Sequence, residues 1–119
     1  MGERPKPRVF VVEDEMIVAM FVEDVLGELG YPVAGTVSNL EDALARADEG
    51  DFDVALLDVH IAGKEVFPLA DRLAEKNVPI IFATGYGERG LPVRFQGRPV
   101  LQKPFTPQDL KKALTAIAP

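Results

Sequence analysis

A chain of 119 residues has room for one domain built on one core, and its 47% hydrophobic and 27% charged residues are those of an ordinary globular protein. With no cysteine and a single histidine, it is excluded from disulfide scaffolds, thiolate catalysis and zinc-thiolate or multi-histidine metal centres. A formal charge of −6 disfavours nucleic acid, and no apolar run of about 18 residues offers a membrane span, so the expected location is cytoplasmic.

Residues 1–7, with Pro5 and Pro7 and no apolar stretch, read as a disordered lead rather than a signal peptide. A single domain is then expected over 8–119. The first predicted strand is the apolar run Val9-Phe10-Val11-Val12. Val18, Phe21, Val22, Val25 and Leu29 follow as a helical stripe, which Gly30 ends in a C-terminal role. A second strand is expected from Tyr31 to Val37. Ser38 and Glu41 have the spacing of a capping box, opening a helix with Leu40, Ala43, Leu44 and Ala47 on one face. The third strand, Val54-Ala55-Leu56-Leu57, ends at Asp58. A loop through Gly63 leads to a helix with Val66, Leu69, Ala70 and Leu73 inward.

The fourth strand is expected over Val78–Thr84. Gly85 to Arg98 then contains four glycines and Pro92, a composition that opposes a helix. It reads as a mobile loop with at most a short helix near Pro92 to Gln96. Pro99-Val100-Leu101 is the fifth strand. Thr106 as N-cap and Pro107 at the first helical position open a last helix with Leu110, Leu114 and Ile117 inward. The pattern is (βα)5 with a weak or missing fourth helix. Right-handed crossovers place its helices on both faces of one parallel sheet.

In such a sheet, ligands bind outside the carboxyl ends of the strands. Four strand ends here carry Glu13-Asp14, Asp58, Thr84 and Lys103. One crevice thus receives three carboxylates, a hydroxyl and an ammonium, the makings of a divalent-cation and phosphoryl site. Each residue has a plainer reading. Asp14 could cap the first helix, Asp58 could form a turn, Thr84 is a common strand residue, and lysines such as Lys103 usually face solvent. Specificity lies in the constellation.

With these motifs in order (Val11-Val12-Glu13-Asp14-Glu15, Leu56-Leu57-Asp58, Thr84 and Lys103-Pro104-Phe105), the chain resembles the receiver domains of two-component response regulators over essentially its whole length. The resemblance implies a flavodoxin-like, doubly wound α/β fold with a five-stranded parallel sheet in the order 2-1-3-4-5. It implies a regulatory phosphoacceptor rather than an enzyme, phosphorylated by a histidine kinase on Asp58. The cofactor implied is magnesium, or manganese, with Asp14 and Asp58 as direct ligands, Glu13 acting through water and His60 giving its carbonyl. Thr84 and Lys103 would hold the phosphoryl group. The Lys103-Pro104 bond is expected to be cis, as is common after this lysine.

Phe82-Ala83-Thr84-Gly85-Tyr86 is further similar to a single-domain subgroup named for a Phe-Ala-Thr-Gly-hydrophobic-Tyr motif and associated with HWE-type kinases. Gly87 stands where that motif has tyrosine, and Tyr86 would lie at the mouth of the site. Val100 occupies the position of the family's aromatic switch residue, so threonine-aromatic coupling is not expected. Output would pass to an unknown downstream protein. The alternatives are a phosphate sink and a control module excised from a hybrid kinase or larger regulator.

Two competing motifs are weaker. Gly85 to Gly90 fits G-x-G-x-x-G but follows the fourth strand, not the first, and runs into Pro92. Halo-acid dehalogenase-type phosphatases usually carry a second aspartate where this chain has His60.

Overall fold

The computed structural model describes residues 6–85 and 90–117. Strand β1 is Val9–Val12, followed by helix α1 (Met16–Leu29), β2 (Val33–Val37), α2 (Leu40–Glu49) and β3 (Val54–Asp58). A two-stranded hairpin, β4 (His60–Ile61) and β5 (Lys64–Glu65), precedes α3 (Phe67–Glu75). Then come β6 (Ile80–Thr84), one turn of 3-10 helix at Val93–Phe95, β7 (Val100–Gln102) and α4 (Pro107–Ile117). The main sheet has the order β2-β1-β3-β6-β7 and is parallel throughout. With the small hairpin set aside, this is the expected 2-1-3-4-5 order. The expected second, fourth and fifth strands are shifted at their ends, to Val33–Val37, Ile80–Thr84 and Val100–Gln102.

All residues of β1, β3 and β6 are buried, as parallel strands covered on both faces require. Their side chains alternate between two cores. Phe10, Val12, Ala55, Leu57, Ile80 and Phe82 face α2 and α3, with Ala43, Ala47, Leu69, Ala70 and Leu73 packed against them. Val9, Val11, Val54, Leu56, Ile81 and Ala83 face α1 and α4, where Val22, Val25, Leu26, Leu110 and Leu114 close the second core. The inward residues expected of α3 are therefore the buried ones.

Helix ends follow local chemistry. Gly30 closes α1 at φ 86°, a left-handed conformation suited to glycine. Lys6, inside the expected lead, donates to the Leu29 carbonyl at 2.6 Å and lies 4.9 Å from the Tyr31 ring centre. The N-cap of α2 is one residue later than the Ser38 of the expected capping box. Asn39 is the N-cap, its Oδ1 accepting from Asp42 N–H at 2.8 Å and its Nδ2 donating to the Asp42 carboxylate at 2.9 Å. The Asn39–Asp42 pair has the same spacing and a shorter reach, which makes it an equivalent cap. At α4, Thr106 and Asp109 exchange the two bonds of a capping box as the Thr106 reading requires. Gly35 lets the Arg46 guanidinium lie against β2, where any Cβ would collide with it.

No α-helix lies between β6 and β7 among the described residues. In its place the 3-10 turn buries Phe95, whose ring centre is 5.3 Å from that of Phe82 and 6.1 Å from that of Phe67. Arg94 fixes the turn to α3 with two bonds to Asp71, at 2.7 and 2.9 Å. Phe95 thus covers sheet surface that a fourth helix would otherwise cover. Truncating it to alanine should cost about 3–5 kcal/mol, the usual range for a buried phenylalanine. Urea unfolding of Phe95→Ala measures this; a loss below about 1 kcal/mol would mean the turn collapses onto the gap or contributes little.

Candidate functional site

Register alone brings the acidic residues together. Val12 of β1 lies beside Leu57 of β3, so Glu13 and Asp58 are the next residues on adjacent strands. Asp58 pairs with Ala83 of β6, which puts Thr84 one residue beyond it. Thr84 pairs with Gln102 of β7, and the following Lys103 donates its backbone N–H to the Thr84 carbonyl at 2.9 Å. Each step crosses one strand spacing, about 4.8 Å.

At the centre is the Lys103 ammonium. Its Nζ lies 3.0 Å from Glu13 Oε1 and 3.0 Å from Asp58 Oδ2, donating to both. Glu13 and Asp58 are buried, and each has a second donor. Glu15 N–H reaches Glu13 Oε2 at 3.0 Å, and His60 N–H approaches Asp58 Oδ1 at 3.4 Å. Asp14 is exposed and accepts from Ala62 N–H at 2.9 Å through Oδ2. It does not cap α1, whose N-cap is Glu15 without a side-chain bond. Thr84 is buried at the end of β6. The Lys103-Pro104 bond is cis, as expected.

Burial raises the pKa of Glu13, and the nearby Asp58 charge adds to this; the Glu15 N–H and Lys103 oppose it without cancelling it. For Lys103, burial acts downward, but the hydrogen bonds and charges of Glu13 and Asp58 outweigh it and leave its pKa raised. The ammonium is therefore held charged beside a carboxyl that resists losing its proton.

Glu13, Asp14 and Asp58 each offer an oxygen within 4.8 Å of the others. Magnesium binds such oxygens at about 2.0–2.1 Å, so ligands on opposite sides of the ion are about 4 Å apart. The donor set is hard, anionic and of nearly the right span. It fits the ion with a small contraction, or with one carboxylate acting through water. His60 is in β4 with its side chain exposed, while Val59 N–H is fixed to the Ala83 carbonyl at 3.0 Å. Tyr86 lies outside the described residues. Val100, at the aromatic switch position, is half-buried against the core that holds Phe82 and Phe95.

Sequence reasoning gave Lys103 a phosphoryl-holding role and missed its bond to Glu13. It also missed the backbone donors at Glu15 and Ala62. Side-chain identity carries no signal for an N–H, although Ala62-Gly63 after an apolar residue could have marked a hairpin turn.

The solution structure of SdrG from Sphingomonas melonis Fr1 superposes with a TM-score of 0.84 at 42% identity, covering 96% of this chain and 98% of that one. The receiver domain of PhyR from Erythrobacter litoralis gives a TM-score of 0.79 at 28% identity over 93% of this chain and 88% of that one. The transcriptional regulatory protein PdtaR of Mycobacterium tuberculosis is 29% identical over 90% of this chain and 54% of its own length. This chain spans about half the length of the first curated relatives it matches. Glu13, Asp14, Asp58, Thr84 and Lys103 all lie within residues 9–115. Residues 9–115 match the response regulator receiver domain, and the chain belongs to that family.

Proposed function

We propose that this protein is a regulatory phosphoacceptor that takes a phosphoryl group from a histidine kinase onto Asp58 and passes the signal on by binding another protein. The observation that carries this reading is Lys103 Nζ at 3.0 Å from Asp58 Oδ2, beside two further carboxylates. A carboxylate oxygen of Asp58 attacks phosphorus, the bond to the donor's imidazole nitrogen breaks, and that nitrogen leaves with the electron pair. The product is an acyl phosphate. Lys103 supplies a charge for its oxygens, and the Thr84 hydroxyl a rotatable donor. Glu13, Asp14 and Asp58, with the His60 carbonyl, would hold magnesium or manganese. That ion would offset the repulsion between anionic donor and anionic acceptor. A structure of SdrG at 44% identity is described as its BeF3-activated conformation, and trifluoroberyllate has the shape of a bound phosphoryl group.

The donor's histidine must come into contact with Asp58, so the kinase must cover the rim of the site. In α1, which begins two residues after Asp14, Met16, Ile17 and Met20 are exposed by 76%, 82% and 55%. Ile17 lines an open, mainly apolar groove together with Val18, Phe21, Pro104 and Phe105, with Glu15 and Lys103 at its polar part. Such an apolar rim suits a helical partner surface. Assignment to the single-domain subgroup, and to kinases of the HWE type, rests on Phe82 to Tyr86.

Intact-mass measurement with a small phosphodonor and magnesium should show addition of one phosphoryl group to the natural chain and none to Asp58→Asn. Labelling of Asp58→Asn, or full labelling of the natural chain in chelator, would remove the reading. Ile17→Asp should slow transfer from the cognate kinase about tenfold, typical of losing a central apolar contact, and leave labelling by the small phosphodonor unchanged. Equal slowing with both donors would place the damage inside the site instead.

Magnesium should bind the deprotonated carboxylates, so its affinity should fall with acidification. Because the Glu13 pKa is raised, that fall should begin above the ordinary glutamate range, with protons released on binding. Folding stability should show the opposite sign: the folded chain keeps the Glu13 proton longer, so this group's contribution, full below the ordinary glutamate range, is lost as pH rises from that range through the raised value. Calorimetric titration in buffers of different ionisation heat measures the proton release; none at mildly acidic pH would contradict the Glu13 assignment.

A further inference from the structure

The hairpin that follows Asp58 contributes no carboxylate to the acidic cluster, yet it is fixed beside it. Val59, Ile61 and Val66 are fully buried, and Val66 N–H donates to the Val59 carbonyl at 2.8 Å, closing the base. Ile61 pairs with Lys64, leaving Ala62 and Gly63 as a two-residue turn. Their φ angles are 49° and 81°, the two positive values that a type I′ turn requires. An alanine in this region is uncommon, since its Cβ crowds the following carbonyl. The turn aims Ala62 N–H at Asp14 Oδ2, 2.9 Å away and 48 residues distant in sequence.

Asp14 needs such a restraint. It lies exposed between β1 and α1, with no role as a helix cap, and its carboxylate could otherwise sample several rotamers. A bond from N–H to an ionised carboxylate is among the stronger hydrogen bonds. It ties down Oδ2 and leaves Oδ1 outside that bond. Glu13 and Asp58 already give one oxygen each to Lys103, so Asp14 is the acidic member not engaged by the ammonium. Loss of a group that orients a metal ligand from behind typically costs about 10–100-fold in metal affinity.

We propose that the Ala62 backbone amide is a positioning group for the cation site, holding Asp14 so that Oδ1 is presented to the ion. Hairpin β4-β5 is then part of that site through its main chain. The inference rests on the cation-binding reading above and adds to it a residue whose side chain is one methyl group.

Two measurements test it. Amide hydrogen exchange without metal should show Ala62 exchanging about tenfold faster in Asp14→Ala, the scale of one charge-assisted bond, while Val66 is unchanged. Magnesium affinity by calorimetry should be about tenfold weaker when Ala62 is replaced by lactic acid, whose ester oxygen removes the N–H and keeps the methyl, whereas Ala62→Gly should stay within about twofold. Faster exchange together with unaltered magnesium affinity in the ester variant would make the bond a tie between hairpin and strand only, and would overturn the proposal. Unchanged exchange of Ala62 in Asp14→Ala would overturn it as well, whether or not the ester variant folds. A natural chain that binds no magnesium would overturn both this and the cation reading, whereas binding by the natural chain with equal binding by the ester variant sinks this inference alone.

Discussion

Two carboxylates that the sheet register forces side by side are held there by one ammonium. Glu13 and Asp58 are buried at the ends of neighbouring strands, and without Lys103 their mutual repulsion and desolvation would oppose the register itself. Buried charge is tolerated when it is paired and its remaining lone pairs are satisfied. Here Lys103 supplies the pairing, while Glu15 and His60 N–H groups approach the other oxygens. One consequence is coupling. Anything that changes the charge on Asp58 alters what Lys103 does for Glu13, and a bound cation would compete with the ammonium for the same oxygens.

The apolar frame makes that arrangement rigid on one side and open on the other. β1, β3 and β6 are sealed between two cores, so Glu13, Asp58 and Thr84 leave the sheet at fixed points. Between β6 and β7, no α-helix covers the sheet among the described residues. Phe95 fills the place with one ring stacked on Phe67 and tilted against Phe82, and Arg94 secures it to Asp71 on α3. Phe82 is two residues before Thr84 on the same strand, so the aromatic group and the Thr84 end are joined by three residues of extended backbone. Val100, from β7, adds to this packing where the family's aromatic residue would stand.

Much of this was legible beforehand because hydrophobic periodicity reports burial directly. The runs at Val9–Val12, Val54–Leu57 and Ile80–Ala83 are uninterrupted, short and rich in β-branched or aromatic residues, the pattern of strands covered on both faces. Thr106-Pro107 marked a helix start because both residues act locally. Where two local solutions were nearly equal, sequence chose less well. Ser38/Glu41 and Asn39/Asp42 have the same spacing, and Asn39 is the one whose side chain accepts from the helix's backbone N–H.

The sequence by itself determined which chemical groups this protein carries at its strand ends, since apolar runs stop at Glu13, Asp58 and Thr84, and one residue before Lys103. It also determined the order of the strands once the (βα)5 pattern and the family resemblance were read together. Only the tertiary structure decided which of those groups touch. That Lys103 bridges Glu13 as well as Asp58, and that Asp14 answers to the Ala62 amide instead of capping α1, depend on distances between segments far apart in the chain. The reason is physical: burial patterns are written in side-chain polarity, whereas backbone donors are identical at almost every residue and acquire a role only when folding gives them a direction.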